Sequence, residues 1–389
     1  MQAFEYNISA IESTLSILVK LDIDDDVMHT PGYDDVIQPG ISLARLNARY
    51  QKMHGYVSVV VCVFGIVSNV MNIVVLSQKS MASATNFMLT ALALTDMLTM
   101  ASYLPYAIYF YCVATPDTRY PHQKAWIVYL LFNTNFIITC HTIAMWLTVS
   151  LAIFRYIVVC RWAGAGPGPC SIQRAKVTTL AVSVTSVIFC IPNYVMYRPV
   201  VVDDGGNSYW FATNDFITPM HEVFNYWVFG VVLKVAPCVL LTVLSALLIR
   251  GMRQAEKRRM RLKSQGHKEE SRRTAEHNRT TAMLVAVVLI FAVSELPQGV
   301  LALLSGFDNS IFYKVYVPLG DVWDIIVLIN SAINFLLYCI MSKQFRQSFC
   351  RVFCHRLHQT AAAPGGSSSA RPVNRNAYKT IVDTQTTNL

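Results

Sequence analysis

The chain has 389 residues, 54% of them hydrophobic and 14% charged, and its 32 Lys and Arg outnumber 23 Asp and Glu to give a net charge of +9. Soluble domains carry roughly a quarter charged residues, so this composition excludes an ordinary soluble fold and leaves no room for a large soluble domain. The cations crowd into polar connections, a placement suited to anionic lipid and partner surfaces, and nucleic acid is excluded as the expected partner.

Seven apolar stretches follow in chain order, at 55–78, 85–112, 126–160, 175–197, 221–250, 277–305 and 314–341. A helix rising about 1.5 Å per residue needs roughly 20 apolar residues to cross the hydrocarbon core. Backbone amides in lipid must bond within their own segment or in a closed barrel, and long runs without strict alternation predict helices. The expected fold is an all-α membrane protein, a seven-transmembrane helix bundle with a short amphipathic eighth helix. Its parts would be an N-terminal tail over 1–54, the bundle over 55–341, the amphipathic helix over 342–355 and a disordered tail over 356–389.

Orientation follows from the cations. Between the fifth and sixth stretches lie Arg250, Arg253, Lys257, Arg258, Arg259, Arg261, Lys263, Lys268, Arg272, Arg273 and Arg279, and after the seventh come Lys343, Arg346, Arg351 and Arg356. Such an excess marks cytoplasmic ends, so an odd number of spans puts the N-terminus outside. There Asn7-Ile8-Ser9 is an acceptor sequence for N-glycosylation. The first 30 residues lack a basic start followed by an apolar core, so the first stretch is expected to serve as the insertion signal.

Of the ten cysteines, only Cys112 lies near the outer rim, so no structural disulfide is expected. Cys350 and Cys354 follow an amphipathic run from Lys343 to Phe353 and read either as palmitoylation sites or as packing residues.

Ionisable groups inside lipid are expensive and call for a partner, a hydrated cavity or a task. Asp96 is the first. Asn330, Ser331 and Asn334 recur at helical spacing and could close a polar cluster with Asp96 and Asn69. Two readings stand, interhelical glue worth about a kcal/mol per contact or an ion- or proton-sensitive switch. Glu295 lies two residues before Pro297, which must disturb its helix. Its carboxylate is either paired with an internal cation such as Lys234, three residues before Pro237, exposed to a cavity that takes a ligand, or protonated and merely structural. Asp321 and Asp324 flank Trp323, and Glu222 opens the fifth stretch; their simplest reading is as solvated helix ends. Together with Glu295 they would make the outer mouth anionic and attract a cationic ligand.

Several fragments resemble, in chain order, the landmarks of rhodopsin-like (class A) G-protein-coupled receptors over about residues 55–355. They are Gly65-Ile66-Val67-Ser68-Asn69, Leu92-Ala93-Leu94-Thr95-Asp96, Phe154-Arg155-Tyr156, Pro237, Pro297, and Asn334-Phe335-Leu336-Leu337-Tyr338 followed by Phe345. The departures matter too. Phe154 stands where the family has an acid, Glu295 where it has tryptophan, Phe335 where it has proline, and Leu130 where it has the third-span cysteine. With the stretch Glu295-Leu296-Pro297-Gln298-Gly299, this set is similar to the invertebrate myosuppressin, FMRFamide-like and sex-peptide receptor branch.

The resemblance implies a receptor, not an enzyme, in the plasma membrane, with no cofactor or metal. Leu328 replaces the opsin lysine and Ile137 the monoamine-receptor aspartate, which leaves a short C-terminally amidated neuropeptide as the implied ligand. A chemosensory receptor for a small molecule, or a transporter or channel, is the alternative. The candidate ligand-binding residues are Glu295, Gln298, Asp324, Trp323, Lys234, His141, Asn133 and Glu222. The implied activation switch comprises Arg155, Tyr156, Asp96, Asn69, Asn330, Asn334, Tyr338, Pro297 and Pro237. Implied partners are a heterotrimeric G protein of the inhibitory subtype and arrestin. The C-terminal Thr387-Asn388-Leu389 has a form that PDZ domains accept.

Overall fold

The computed structural model describes residues 38–113, 123–158, 171–201, 208–264, 293–304, 307 and 311–354. Asn7, residues 265–292 and the segment 355–389, with its Thr387-Asn388-Leu389 end, lie outside the described residues. Helix α1 spans Gln38–Leu76, beginning inside the segment expected as tail, and α2 spans Ala84–Ala107. Helix α3 spans Lys124–Tyr156 and α4 Ile172–Met196. A two-stranded antiparallel sheet, β1 (Tyr197–Val201) with β2 (Tyr209–Thr213), follows α4 in the register Tyr197 to Thr213 and Val201 to Tyr209. The hydropathy pattern had not anticipated it. Helices α5 (Pro219–Trp227) and α6 (Ala236–Ser264) are joined by a π-helical segment, Val228–Val235. Then come α7 (Val293–Leu304), α8 (Gly320–Met341) and α9 (Lys343–Phe349).

Among the described residues six helices are long and apolar enough to cross a membrane, at Arg49–Leu76, Ala84–Val113, Lys124–Tyr156, Ile172–Met196, Val228–Gln254 and Gly320–Ile340. The sixth apolar stretch is represented by the shorter apolar helix α7. Their surfaces carry large apolar side chains, Val60 and Leu180 among them at 68% and 66% exposure, which suits lipid and would be a liability in water. Helix α3 is central, with 72% of its most apolar stretch buried, whereas α4 is peripheral at 17%.

Local chemistry sets the ends. Ser83 and Ser171 cap α2 and α4 by accepting from the amides of Asn86 and Arg174. Thr218 and His221 cap α5 reciprocally, with Pro219 in the first turn. Proline at 237 lacks an amide proton and its ring would clash with the turn before it. The chain answers by widening that turn, so that the Ala236 amide reaches back five residues to Val231 O.

Lipid tails are as apolar as the side chains, so the helices are held by close packing and interhelical hydrogen bonds. One cluster joins α1, α2 and α8 through Cys62, Met100, Tyr103, Ala107, Ile325, Leu328 and Ala332. A second joins α3 to α6 through Met145, Val149, Ala152, Cys238, Leu241 and Leu248. At Gly65 the approach is so close that a Cβ would lie 2.0 Å from Met100 Sδ and 3.2 Å from Ala332 Cβ. Arg346 donates to the carbonyls of Cys339 and Ile340 at 3.0 and 2.8 Å, satisfying the end of α8, while Phe345 is buried against Tyr338 and Phe335.

The described residues from Phe349 to Cys354 belong to a compact unit of their own. Within it Cys350–Cys354 is a π-helical turn, with the Phe349 and Phe353 rings 4.9 Å apart. Cys350 is exposed, and the side chain of Cys354 lies outside the described residues.

Candidate functional site

A buried charged cluster spans three parts of the bundle. The π-helical turn aims Lys234 inward, where its Nζ donates to Glu295 Oε2 at 2.7 Å and to Gln298 Oε1 at 2.9 Å, both on α7. From α3, His141 Nε2 approaches the same Glu295 oxygen at 3.0 Å. Gln298 Nε2 in turn donates to the Tyr316 hydroxyl at 3.3 Å. Glu295 is fully enclosed and Lys234 is 5% exposed, so of the environments open to this carboxylate the structure has the internal pair. Its other oxygen, Oε1, is buried without a hydrogen-bond partner among the described residues. Gly299 lets the backbones meet, since a Cβ there would lie 3.3 Å from Lys234 Cβ.

Above this cluster lies a cavity of about 80 Å³. Lys234, His141, Gln298, Asp324, Tyr103, Thr99 and Thr142 supply its polar lining, and Ile137, Ile138, Phe229, Val327 and Leu328 its apolar wall. Thus Ile137 and Leu328, the positions that set aside the monoamine and opsin readings, both face it. Pockets for whole drug-sized ligands run to roughly 300–1,000 Å³, so this polar-lined cavity has room for one terminal group of a larger ligand.

Not every candidate reaches the cavity. Asn133 is buried between α2 and α3, where its Oδ1 accepts from Ser102 Oγ at 2.7 Å. Trp323 does not line the cavity, and its indole nitrogen is buried without a partner among the described residues. Glu222 lies in α5, and its side chain is outside the described residues.

The reading of Asp321 and Asp324 as solvated helix ends is overturned. Asp321 is 8% exposed, and its Oδ1 accepts from the Tyr111 hydroxyl at 2.6 Å. Asp324 Oδ2 accepts from the Tyr103 hydroxyl at 3.2 Å. The early start of α1 and the aromatic end of α2 cover what would otherwise be an open helix terminus. Tyr103 and His54, both in contact here, had no place among the sequence candidates. Tyr103 falls on the face of α2 that carries Asp96 and Thr99, at helical spacing, and that periodicity was the available signal.

Towards the opposite end from the sheet lies a second polar network. Asn334 Nδ2 donates to Asp96 Oδ2 at 2.9 Å, and Ser331 also bonds this carboxylate. Asn69 Nδ2 donates to the carbonyls of Gly65 and Ser331, each at 3.0 Å, and Asn72 donates to Asn69 at 3.4 Å. Asn330 is buried on the same helix, but no hydrogen bond joins it to Asp96, while Tyr338 is buried by packing on Phe345. Arg155 is 9% exposed in the last turn of α3, and Tyr156 packs on the α3–α6 cluster beside Pro237's helix. Pro297 sits within α7, which keeps helical backbone on either side of it.

The family model for serpentine-type 7TM GPCR chemoreceptors of class Srw matches residues 56–356. The chain is 30% identical over 351 residues to the G-protein coupled receptor dmsr-1 of Caenorhabditis elegans, covering 78% of this chain and 68% of that protein. To the Sex peptide receptor of Drosophila melanogaster it is 31% identical over 321 residues, covering 78% and 73%. To the FMRFamide receptor of the same fly it is 25% identical over 353 residues, covering 86% and 59%. With six apolar spanning helices among the described residues and a family match across the whole bundle, the chain belongs to the serpentine seven-transmembrane G-protein-coupled receptors and is a multi-pass membrane protein.

Proposed function

We propose that this receptor responds to a short C-terminally amidated peptide, with its N-terminus outside the cell and its Arg155 end in the cytoplasm. The observation that carries the reading is the floor of the cavity, where Lys234 is already neutralised by Glu295 and also donates to Gln298 Oε1. A free carboxylate entering there would meet the charge of Glu295 as well as that of Lys234. An uncharged amide supplies one acceptor and one donor, which match Lys234 and Gln298. Asp324 in the cavity wall offers a charge-assisted contact for a peptide arginine. The names of the fly relatives, Sex peptide receptor and FMRFamide receptor, support a peptide over a small odorant.

Signalling would follow a two-state logic. Ligand at the cavity biases the Glu295–Lys234–His141 cluster, α7 moves about Pro297, and a groove opens beside Arg155 for the C-terminal helix of an inhibitory Gα subunit. Phe154 stands where the family's acid would restrain Arg155, so either another group holds the inactive state or basal activity is appreciable. Glycosylation at Asn7, palmitoylation at Cys350 and Cys354, and tail recognition by arrestin or a PDZ domain complete the proposal.

The test is a matched panel of peptides ending in Arg-Phe-amide and the same peptides as free acids, applied to cells expressing the chain with Gα dissociation as readout. Amidated forms should be at least tenfold more potent. Equal potency of the acids, or no response to any peptide, would overturn the reading.

A further inference from the structure

His54 of α1 stands beside Asp321 and Asp324 of α8, and each of the three offers one ligand atom within 4.8 Å of the others. We propose that these three residues form a divalent transition-metal site of the zinc class at the sheet-side end of the bundle. One imidazole nitrogen and two carboxylate oxygens are the donor set that favours Zn²⁺ over Mg²⁺ or Ca²⁺, which prefer oxygen alone. Zinc bonds of about 2.0–2.2 Å require ligand atoms roughly 3.3–3.6 Å apart in a tetrahedron, so binding would draw together atoms that lie within 4.8 Å of one another. Three protein ligands leave a fourth position for water.

Three features of the surroundings fit a cation. Among the described residues neither Asp321 nor Asp324 has a Lys or Arg in ion-pairing distance, although Asp321 is buried. Two carboxylates so placed repel each other unless a proton or another positive charge lies between them. Tyrosine hydroxyls hold the ligands from behind, Tyr111 on Asp321 and Tyr103 on Asp324. With its proton on Asp324, the Tyr103 hydroxyl accepts from His54 Nε2 at 2.8 Å, Ser58 Oγ lies 3.3 Å from the same nitrogen, and a metal on Nδ1 would take the place of that nitrogen's 3.3 Å contact with the Tyr50 hydroxyl. Access is through the cavity, because Asp324 and Tyr103 also line it. An ion there would tie α1 to α8 and would compete with a ligand cation for Asp324.

The experiment needs no peptide, so its outcome is separate from that of the proposed ligand class. The full chain, with any affinity tag removed, is placed in nanodiscs and its Tm followed against ZnCl₂ and MgCl₂. A ligand at a hundredfold excess over its Kd should raise Tm by several degrees, and Zn²⁺ but not Mg²⁺ should do so. The rise should disappear in Asp321→Asn, which keeps an oxygen for Tyr111, and in His54→Gln. Independently, Co²⁺ bound to the native chain should give the intense visible absorption of a tetrahedral ion and be displaced by Zn²⁺. Absence of a Zn²⁺ effect, an effect undiminished in the variants, or a Co²⁺ complex without tetrahedral absorption would each overturn the site.

Discussion

Two of the polar centres in this bundle solve the same problem differently. Around Asp96 a single carboxylate is surrounded by amides and hydroxyls, from Asn334 and Ser331, with Asn69 bridging backbone carbonyls beside it. Around Glu295 a carboxylate is met by a full cation, Lys234, and by His141. The first arrangement spreads a modest charge over many replaceable contacts. The second concentrates large opposing energies in one contact, since the cost of desolvating two ions nearly cancels their attraction. The Glu295 centre is therefore the more fragile to single changes and the better lever for a ligand at its side.

Breaking that lever should give the largest effect. Glu295→Gln leaves Lys234 buried without its counter-charge, and loss of one partner of a buried pair costs about 3–5 kcal/mol. Surface expression and Tm of this variant should fall sharply. The double variant Lys234→Met with Glu295→Leu should regain most of that stability while losing the peptide response; if it stays as unstable as Glu295→Gln, the charge pairing is not what holds α7 to the π-helical turn.

Arg155→Ala asks whether the charged centre acts at a distance. Fourteen residues separate His141 from Arg155 on α3, roughly 20 Å of helix. G-protein activation should drop at least tenfold while peptide affinity stays within about twofold, measured by radioligand binding beside Gα dissociation. Undiminished activation would remove Arg155 from the groove.

On the amide-lined side, Gly65→Ala forces a methyl group into Met100 and should destabilise by about 1–3 kcal/mol, as overpacking does. A melting curve unchanged from the native chain would show that α1 can slide away from α2 freely. Smaller still, Asp96→Asn keeps an oxygen for Asn334, so it should cost about 1 kcal/mol. A loss as large as that of Glu295→Gln would erase the contrast between the two centres.

The contrast also explains how far the sequence could be read. The spans were legible because seven runs of bilayer length have no other use, and Asn69, Asp96 and Asn334 were legible because each is polar where polarity is expensive. Lys234 and Glu295 met in the structure for the same reason. What stayed hidden depends on tertiary cover. Asp321 and Asp324 sit at a helix start, where exposure is the default, and only the extension of α1 and the tyrosines of α2 enclose them. Asn133 reads like a ligand contact by its depth, but its partner, Ser102, is set by how α2 and α3 face each other. The sheet between α4 and α5 follows from pairing across a connection, which hydropathy does not encode.

The widened turn at Val228–Val235 carries a consequence for comparing this chain with its relatives. One extra residue per turn rotates everything on its far side by about 100° relative to α6. A relative lacking that residue would present a different side of the same helix to the cavity, even where every letter around Pro237 coincides. Deleting a single residue between Val228 and Val231 should thus exchange Phe229 for a neighbour in the cavity wall while Lys234 keeps its place. Alignment columns on the two sides of this turn then follow different phases, and ligand preference can diverge without a substitution at any residue that touches the ligand.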